Sequence, residues 1–137
     1  MDLICIILGL IIYALIEGHK DAYLEHHRST SANPDYKNLH PLFAVTRILI
    51  GVLIFFYINL PILIGLSFLL CLGLIFSWFH NGNYFLTRNK LTPNIYKKKW
   101  KDESTTSNAI LEFNYIERSI LLILGIIGLI IITYGLK

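Results

Sequence analysis

The sequence predicts an all-α integral membrane protein: a four-helix transmembrane bundle, up-down-up-down, with two cytoplasmic loops. Of its 137 residues, 55% are hydrophobic and 15% are charged, whereas soluble domains carry about 25% charged residues. A chain of this length could not hide so much apolar surface from water, so a lipid bilayer is its natural solvent. Four long apolar runs and a one-sided distribution of positive charge complete the prediction.

The apolar runs predict spans at about 3–22, 42–60, 61–79 and 116–136, within a single membrane domain that covers residues 1–137. The second and third spans are separated at Pro61, because proline removes a helical hydrogen bond and clashes with the preceding turn. Two spans of about 19 residues fit a core roughly 30 Å thick, whereas one double-length helix does not. The first run lacks the basic start and cleavage site of a signal peptide, which favours a retained span.

Two polar segments, at about 23–41 and 80–115, are predicted as loops. The sequence Asn-Gly-Asn at 81–83 is typical of a turn and is expected to follow the end of the third helix. The four hydroxyl residues at 104–107 are candidate N-caps for the fourth helix. Eleven of the twelve lysines and arginines lie in these loops and their flanks, and Lys137 is the exception. The positive-inside rule therefore places both loops in the cytoplasm and both termini outside.

Polar side chains from all four helices are predicted to form one inner layer at the cytoplasmic ends of the spans. Ionisable groups at membrane depth are expensive, so they usually face the bundle interior or a watery cavity and pair with each other. The alternative is a border of snorkelling side chains and structural ion pairs. The predicted layer contains Glu17, Lys20, Asp21, Arg47, His80, Glu117 and Arg118.

Within this layer the sequence predicts a contact between Glu17 and Arg47. Counted at 1.5 Å per residue, each lies about 9 Å inside the hydrocarbon boundary, at the same depth on consecutive helices. An unpaired charge there costs up to a few kcal/mol, and a charge-assisted hydrogen bond satisfies both groups without water. We expect a Glu17 carboxylate oxygen within about 4 Å of the guanidinium.

Histidines and carboxylates near the inner layer suggest a metal site formed by His19, Asp21 and His80. Imidazole with carboxylate suits zinc or iron. However, the sequence has no H-E-x-x-H motif, no H-x-x-H-H spacing and no Glu-x-x-His pair of the di-iron type. Solvated histidines are the competing interpretation, and no cofactor is predicted firmly.

A basic cluster flanked by aromatic residues lies in the second loop. Its position beside the membrane favours anionic lipid headgroups as partners, at about 1 kcal/mol for each basic residue near the surface. Aromatic side chains would anchor the cluster at headgroup level. Nucleic acid is not predicted as a partner. The cluster consists of Tyr96, Lys97, Lys98, Lys99, Trp100 and Lys101.

Small residues recur in the third and fourth spans, as in Gly73-x-x-x-Ser77 and at Gly125 and Gly128. Such spacings let helices approach closely, which favours a packed bundle or a homo-oligomer. Three function classes follow. The first is a structural or accessory membrane protein with a lipid-contacting cytoplasmic face. The second is a membrane-embedded enzyme, metal-dependent or not, whose site is the inner layer. The third is a holin-like or pore-forming oligomer, against which the apolar outer halves of the spans argue.

Overall fold

A computed structural model describes residues 3–30, 39–93 and 113–135, without the side chains of 28 and 39–43. Its helices are α1 Leu3–Thr30, α2 Leu39–Ile58, α3 Ile62–Leu91 and, as the fourth in chain order, α4 Tyr115–Gly135. No strand occurs in the described ranges. The all-helical fold that the composition predicts is therefore confirmed.

Three helices, α1, α3 and α4, are long and apolar enough to cross a membrane, and the described apolar stretch of α2, Ala44–Ile58, is shorter. With 28 and 30 residues, α1 and α3 are about 42 and 45 Å long at 1.5 Å per residue. Both exceed a hydrocarbon core of about 30 Å by more than two helical turns. Of the three membrane-length helices, α1 and α3 are therefore long enough to extend beyond the hydrocarbon core.

The central helix of the structure is α3, which packs against each of the other three. Helix α1 runs parallel to α3, with contacts from Tyr13 and Phe76 to Ala22 and Arg88. Helix α4 runs antiparallel to α3, since Arg118 meets Ser77 and Gly125 lies beside Cys71. A core of buried residues, including Phe68, Leu72, Ile75 and Leu129, joins α3 to α4, with partly buried residues of α1 and α2 packed against it.

The helix break predicted at Asn59-Leu60-Pro61 is confirmed. Helix α2 ends at Ile58 and α3 begins at Ile62. Asn59 has a φ of 52°, in the left-handed region that asparagine adopts more readily than most residues because its short side chain can hydrogen-bond locally. The Pro61 carbonyl then accepts the first α3 hydrogen bond, from the Gly65 amide at 2.8 Å.

The predicted end of the third helix at residue 79 is wrong, and so is the turn at 81–83. Helix α3 continues without interruption to Leu91. The two asparagines are accommodated by hydrogen bonds, from Asn81 to the Ser77 carbonyl at 2.7 Å and from Asn83 to the Leu15 carbonyl at 2.6 Å. Packing of Tyr84 and Phe85 around Ala22 of α1 supports the extension. Tertiary contacts thus override the local turn preference.

Helix α4 begins with a capping box. The Asn114 side chain accepts from the Glu117 amide at 2.9 Å, and the Glu117 carboxylate accepts from the Asn114 amide at 2.7 Å. These reciprocal bonds satisfy two donors that a helix N-terminus otherwise leaves open. The N-caps predicted at 104–107 lie outside the described residues.

Glycines allow close packing at the seam between α3 and α4. A Cβ placed on Gly125 would lie 2.9 Å from the Cys71 carbonyl oxygen, and one placed on Gly128 would collide with the Cys71 sulfur. The small residues of the fourth span therefore face α3 of the same chain. Cys5 and Cys71 are both free thiols.

Candidate functional site: a buried Arg47 cluster above an apolar cleft

The predicted contact between α1 and α2 is confirmed. The Arg47 Nε donates to Glu17 Oε2 at 2.9 Å, which is a good distance for a charge-assisted bond. The position of each residue within its apolar run predicts this pair, because a charge so far from the end of the run is costly to leave unpaired.

Arg47 also contacts a second carboxylate on α1 and a histidine on α3. Its Nη2 donates to Asp21 Oδ2 at 3.1 Å and lies 3.1 Å from His80 Nε2. His80 Nε2 is in turn 3.0 Å from the same Asp21 oxygen. Tyr13 completes the group by donating its hydroxyl to Glu17 Oε1 at 3.0 Å. We call these five residues, Tyr13, Glu17, Asp21, Arg47 and His80, the Arg47 cluster.

Burial differs sharply within the cluster. Glu17, His80 and Asp21 are only 1%, 4% and 9% exposed, whereas the Arg47 side chain is 37% exposed. The carboxylates are therefore held inside the protein, and the guanidinium covers them from the outside. Asp21 Oδ1 is fully buried without a hydrogen-bond partner among the described residues.

The Phe76 ring packs against three members of the cluster. Phe76 stacks on His80 one helical turn later, with ring centroids 5.4 Å apart and an interplanar angle of 20°. The Arg47 guanidinium carbon lies 5.5 Å from the Phe76 centroid, within the range of a cation–π contact. The Tyr13 ring is tilted against Phe76, with centroids 5.9 Å apart. Phe76 thus fixes the orientation of three members of the cluster.

The proton position on His80 determines which bonds coexist. A guanidinium only donates, so Arg47 can bond His80 Nε2 when that nitrogen is bare. Asp21 accepts from Nε2 when the nitrogen carries a proton. The two bonds therefore exclude each other, and a single proton on Nε2 changes which neighbour holds His80.

Gly18 lets α1 approach α3 closely enough for the cluster to form. A Cβ on this residue would collide with the backbone carbonyl oxygen of His80. Glu17 and Asp21 flank this contact, before and after it on α1. The missing side chain therefore explains how the short Asp21 side chain reaches the His80 imidazole on the neighbouring helix.

An apolar cleft between α1, α2 and α3 ends at the cluster. Its volume is about 180 Å³, and Arg47 and Tyr13 form its polar end, beside the Phe76 ring. The rest of the lining is aliphatic or glycine, including Leu10, Ile50, Gly51, Leu69, Leu72 and Gly73. Neither Gly51 nor Gly73 has a neighbour within 4 Å of a Cβ built on it, so the cleft is open at both glycines.

The remaining residues of the predicted inner layer lie elsewhere. Lys20 is exposed on α1, and Glu117 is exposed at the capping box of α4. Arg118 is buried at the seam of α3 and α4, where it donates to the Ser77 hydroxyl at 2.8 Å and to the Phe113 carbonyl at 3.2 Å. Its guanidinium carbon lies 5.9 Å from the Phe113 ring. The predicted layer thus contains one charged cluster around Arg47 and a second anchoring point at Arg118.

The three predicted metal ligands do not converge. Asp21 and His80 meet in the Arg47 cluster, but His19 Nδ1 pairs with the Thr87 hydroxyl at 3.0 Å. Its ring also packs edge-on against Tyr23, with centroids 4.9 Å apart. Within the described ranges no three His, Cys, Asp or Glu side chains are placed to hold a metal ion. Zinc and iron therefore gain no ligand set from this part of the chain.

Sequence reasoning missed three contributors: Tyr13, Phe76 and Gly18. The two aromatic residues lie within apolar runs and look like ordinary lipid-facing or core residues. Their helical spacing to charged residues gives a signal, since Tyr13 precedes Glu17, and Phe76 precedes His80, by four positions. Residues four apart share a helix face.

The predicted headgroup contacts from Tyr96 to Lys101 lie outside the described residues. Comparison with known proteins adds no assignment. No protein-family model matches the sequence, and no curated protein or solved structure is significantly similar to it.

Proposed function

We propose that this chain is a small accessory membrane protein that holds a membrane amphiphile in the cleft between α1, α2 and α3. The observation that carries the proposal is the continuity between an apolar cleft and a buried polar cluster. A lipid has the same division, with an apolar chain and a polar head. The cleft volume of about 180 Å³ is more than ten times the roughly 15 Å³ that one water requires.

The lining of the cleft favours an apolar chain over water. An apolar cavity offers water too few hydrogen bonds to make entry favourable, whereas a hydrocarbon fills it readily. Leu69, Leu72 and Ile50 lie along the cleft, and polar atoms appear where Arg47 and Tyr13 end it. The half-exposed Arg47 is therefore accessible to a headgroup, while the buried carboxylates behind it keep the guanidinium in place.

The proposed orientation places the cluster at the cytoplasmic leaflet. The concentration of lysines and arginines at one end of the helices supports cytoplasmic loops and extracytoplasmic termini in an up-down-up-down arrangement. In that arrangement the basic segment from Tyr96 to Lys101 would contact anionic headgroups of the same leaflet. The exposed apolar residues of α2, such as Ile48, Leu53 and Phe56, would face lipid or a second copy of the chain.

Filling the cleft tests the proposal. Gly73→Leu and Gly51→Leu add a side chain into open space within the cleft, so we expect each to reduce co-purifying lipid at least fivefold. Gly9→Leu is the matched control, because Gly9 also has open space around it but lies outside the lining of the cleft. Mass spectrometry of lipid extracted from each detergent-purified variant provides the measurement. Equal lipid content in all three variants and the original protein would contradict lipid binding in the cleft.

A membrane-embedded enzyme is the second candidate, and the Asp21–His80 pair favours it. An imidazole held by a buried carboxylate is a common general acid–base arrangement, and Asp21 Oδ1 has no partner among the described residues. Incubation of the purified protein with a membrane lipid extract should then give a product that His80→Gln abolishes. An unchanged lipid profile under both conditions would exclude the candidate for those lipids. The described residues give no comparable support to the holin-like pore.

A further inference from the structure

We infer that the amphiphile in the cleft is a neutral single-chain lipid with a free hydroxyl group in its head. The inference rests on the proposed function and adds the chemical class of the ligand. It follows from the charge of the Arg47 cluster and from the two polar groups that line the cleft.

The cluster has no surplus positive charge for an anionic head. Glu17 and Asp21 contribute two negative charges, and both already bond Arg47, at 2.9 and 3.1 Å. A proton on His80 would bring the cluster to neutrality and no further. A carboxylate or phosphate head would therefore have to compete with two buried carboxylates for one guanidinium, in surroundings where like charges are poorly screened.

The free hydrogen-bonding capacity at the end of the cleft consists of one donor group, an NH2 of Arg47, and one acceptor. Arg47 uses Nε and Nη2 within the cluster, and its Nη1 makes no hydrogen bond to the described residues. Tyr13 gives its hydroxyl proton to Glu17, so its oxygen remains as an acceptor. Both residues line the cleft. Since a hydroxyl both donates and accepts, it can satisfy Tyr13 and Arg47 together.

Other head chemistries satisfy only part of this pair. An ester carbonyl accepts from Arg47 but leaves the Tyr13 oxygen without a donor. An ionised carboxylate has no donor either, and the negative charge of Glu17 repels it. A long-chain alcohol or a monoacylglycerol has the required hydroxyl and a single apolar chain, the first part of which can enter the cleft.

Three ligands with the same chain length test the inference: hexadecanol, hexadecanoate and methyl hexadecanoate. Their competition with labelled hexadecanol is measured on the full-length protein in a non-ionic detergent. We expect hexadecanol to bind roughly tenfold more tightly than either competitor, as the loss of one buried hydrogen bond implies. Tyr13→Phe should weaken hexadecanol by a similar factor and leave the methyl ester unchanged. Tyr57→Phe, at an exposed position of α2, is the control and should change neither ligand.

The comparison between ligands separates the two proposals. A general distortion of the cleft by Tyr13→Phe would weaken all three ligands equally, so the ratio of alcohol to ester is the decisive number. Equal affinities for the three ligands, or tighter binding of hexadecanoate, would overturn the hydroxyl inference and leave lipid binding in place. A lack of binding by all three, together with no effect of Gly73→Leu on co-purified lipid, would overturn the proposed function as well.

Discussion

The two sides of α3 hold their neighbouring helices in different ways. On one side, α4 approaches so closely that Gly125 and Gly128 have no room for a Cβ beside Cys71. On the other side, α2 leaves an apolar cleft of about 180 Å³, and Arg47 reaches from it to both α1 and α3. The first interface depends on backbone proximity and the second on a charged side chain.

This difference separates a structural seam from a binding site. Close glycine packing gains van der Waals contacts where Gly125 and Gly128 meet Cys71 and leaves no space for a ligand at that seam. An apolar cleft of about 400 Å³ does lie between α1, α3 and α4, but no charged residue lines it. The buried carboxylates hold the arginine across the gap, and without the arginine they would be unpaired charges inside the protein, which is strongly destabilising. The cleft can stay open because the charged contact, rather than apolar packing, ties α2 to the other helices near this end.

Removal of Arg47 should have the largest effect on stability. Arg47→Met leaves Glu17 and Asp21 buried and unpaired, which we expect to lower the free energy of unfolding by about 3 kcal/mol. Reversible unfolding in mixed detergent micelles gives the measurement. The triple variant Glu17→Gln, Asp21→Asn, Arg47→Met should recover most of the loss, because no buried charge remains. A loss that persists in the triple variant would show that packing by Arg47, and not charge pairing, ties α2 to the bundle.

A leucine side chain added on each side of α3 should give the next largest difference in stability. Gly125→Leu places a Cβ 2.9 Å from the Cys71 carbonyl oxygen, so we expect a loss of about 2 kcal/mol from overpacking. Gly73→Leu points into open space and should change stability by less than about 0.5 kcal/mol. Equal losses in the same unfolding assay would mean that the cleft closes in the folded protein.

The capping box of α4 should give the smallest effect. Asn114→Ala removes the side-chain acceptor for the Glu117 amide, and we expect a loss of about 1 kcal/mol. Asn114→Asp keeps the acceptor and should stay within a few tenths of a kcal/mol of the original. Lipid content should be the same in both variants, because the box lies on α4 and outside the cleft. A drop in co-purified lipid would connect the two sides of α3 and weaken the distinction between them.

The Glu17–Arg47 contact could be predicted because membrane depth is a simple function of helix position. Each residue has a calculable distance from the end of its apolar run, and the cost of an unpaired charge supplies the rest. The sequence also placed Asp21 and His80 in the same inner layer. It could not show that Arg47 contacts both of them as well, since the reach of a guanidinium across a gap depends on how far apart the helices lie.

The end of α3 was predicted wrongly because the residues at 81–83 have strong local turn preferences. Sequence periodicity gives no measure of the contacts that offset them, such as the bond from Asn83 to the Leu15 carbonyl. Arg88 was assigned to a loop for the same reason, although it is only 2% exposed and donates to the Ala22 carbonyl at 3.4 Å. Both errors concern the part of α3 that extends alongside α1, where partners distant in sequence decide the structure.

The turn at Asn59 ties one end of α2 to the start of α3, so a tilt of α2 about this turn would displace residues further along the helix. Only Asn59 and Leu60 separate the end of α2 from Pro61, which precedes the start of α3, so this end of α2 is held close to α3. Arg47 lies 12 positions before Asn59, which is about 18 Å along the helix. A rotation of α2 by about 10° around the turn would move Arg47 by roughly 3 Å over that arm. Such a displacement is enough to break bonds of 2.9 and 3.1 Å. The cluster therefore ties α2 at a point about 18 Å from the turn, where a tilt of this size is enough to release it.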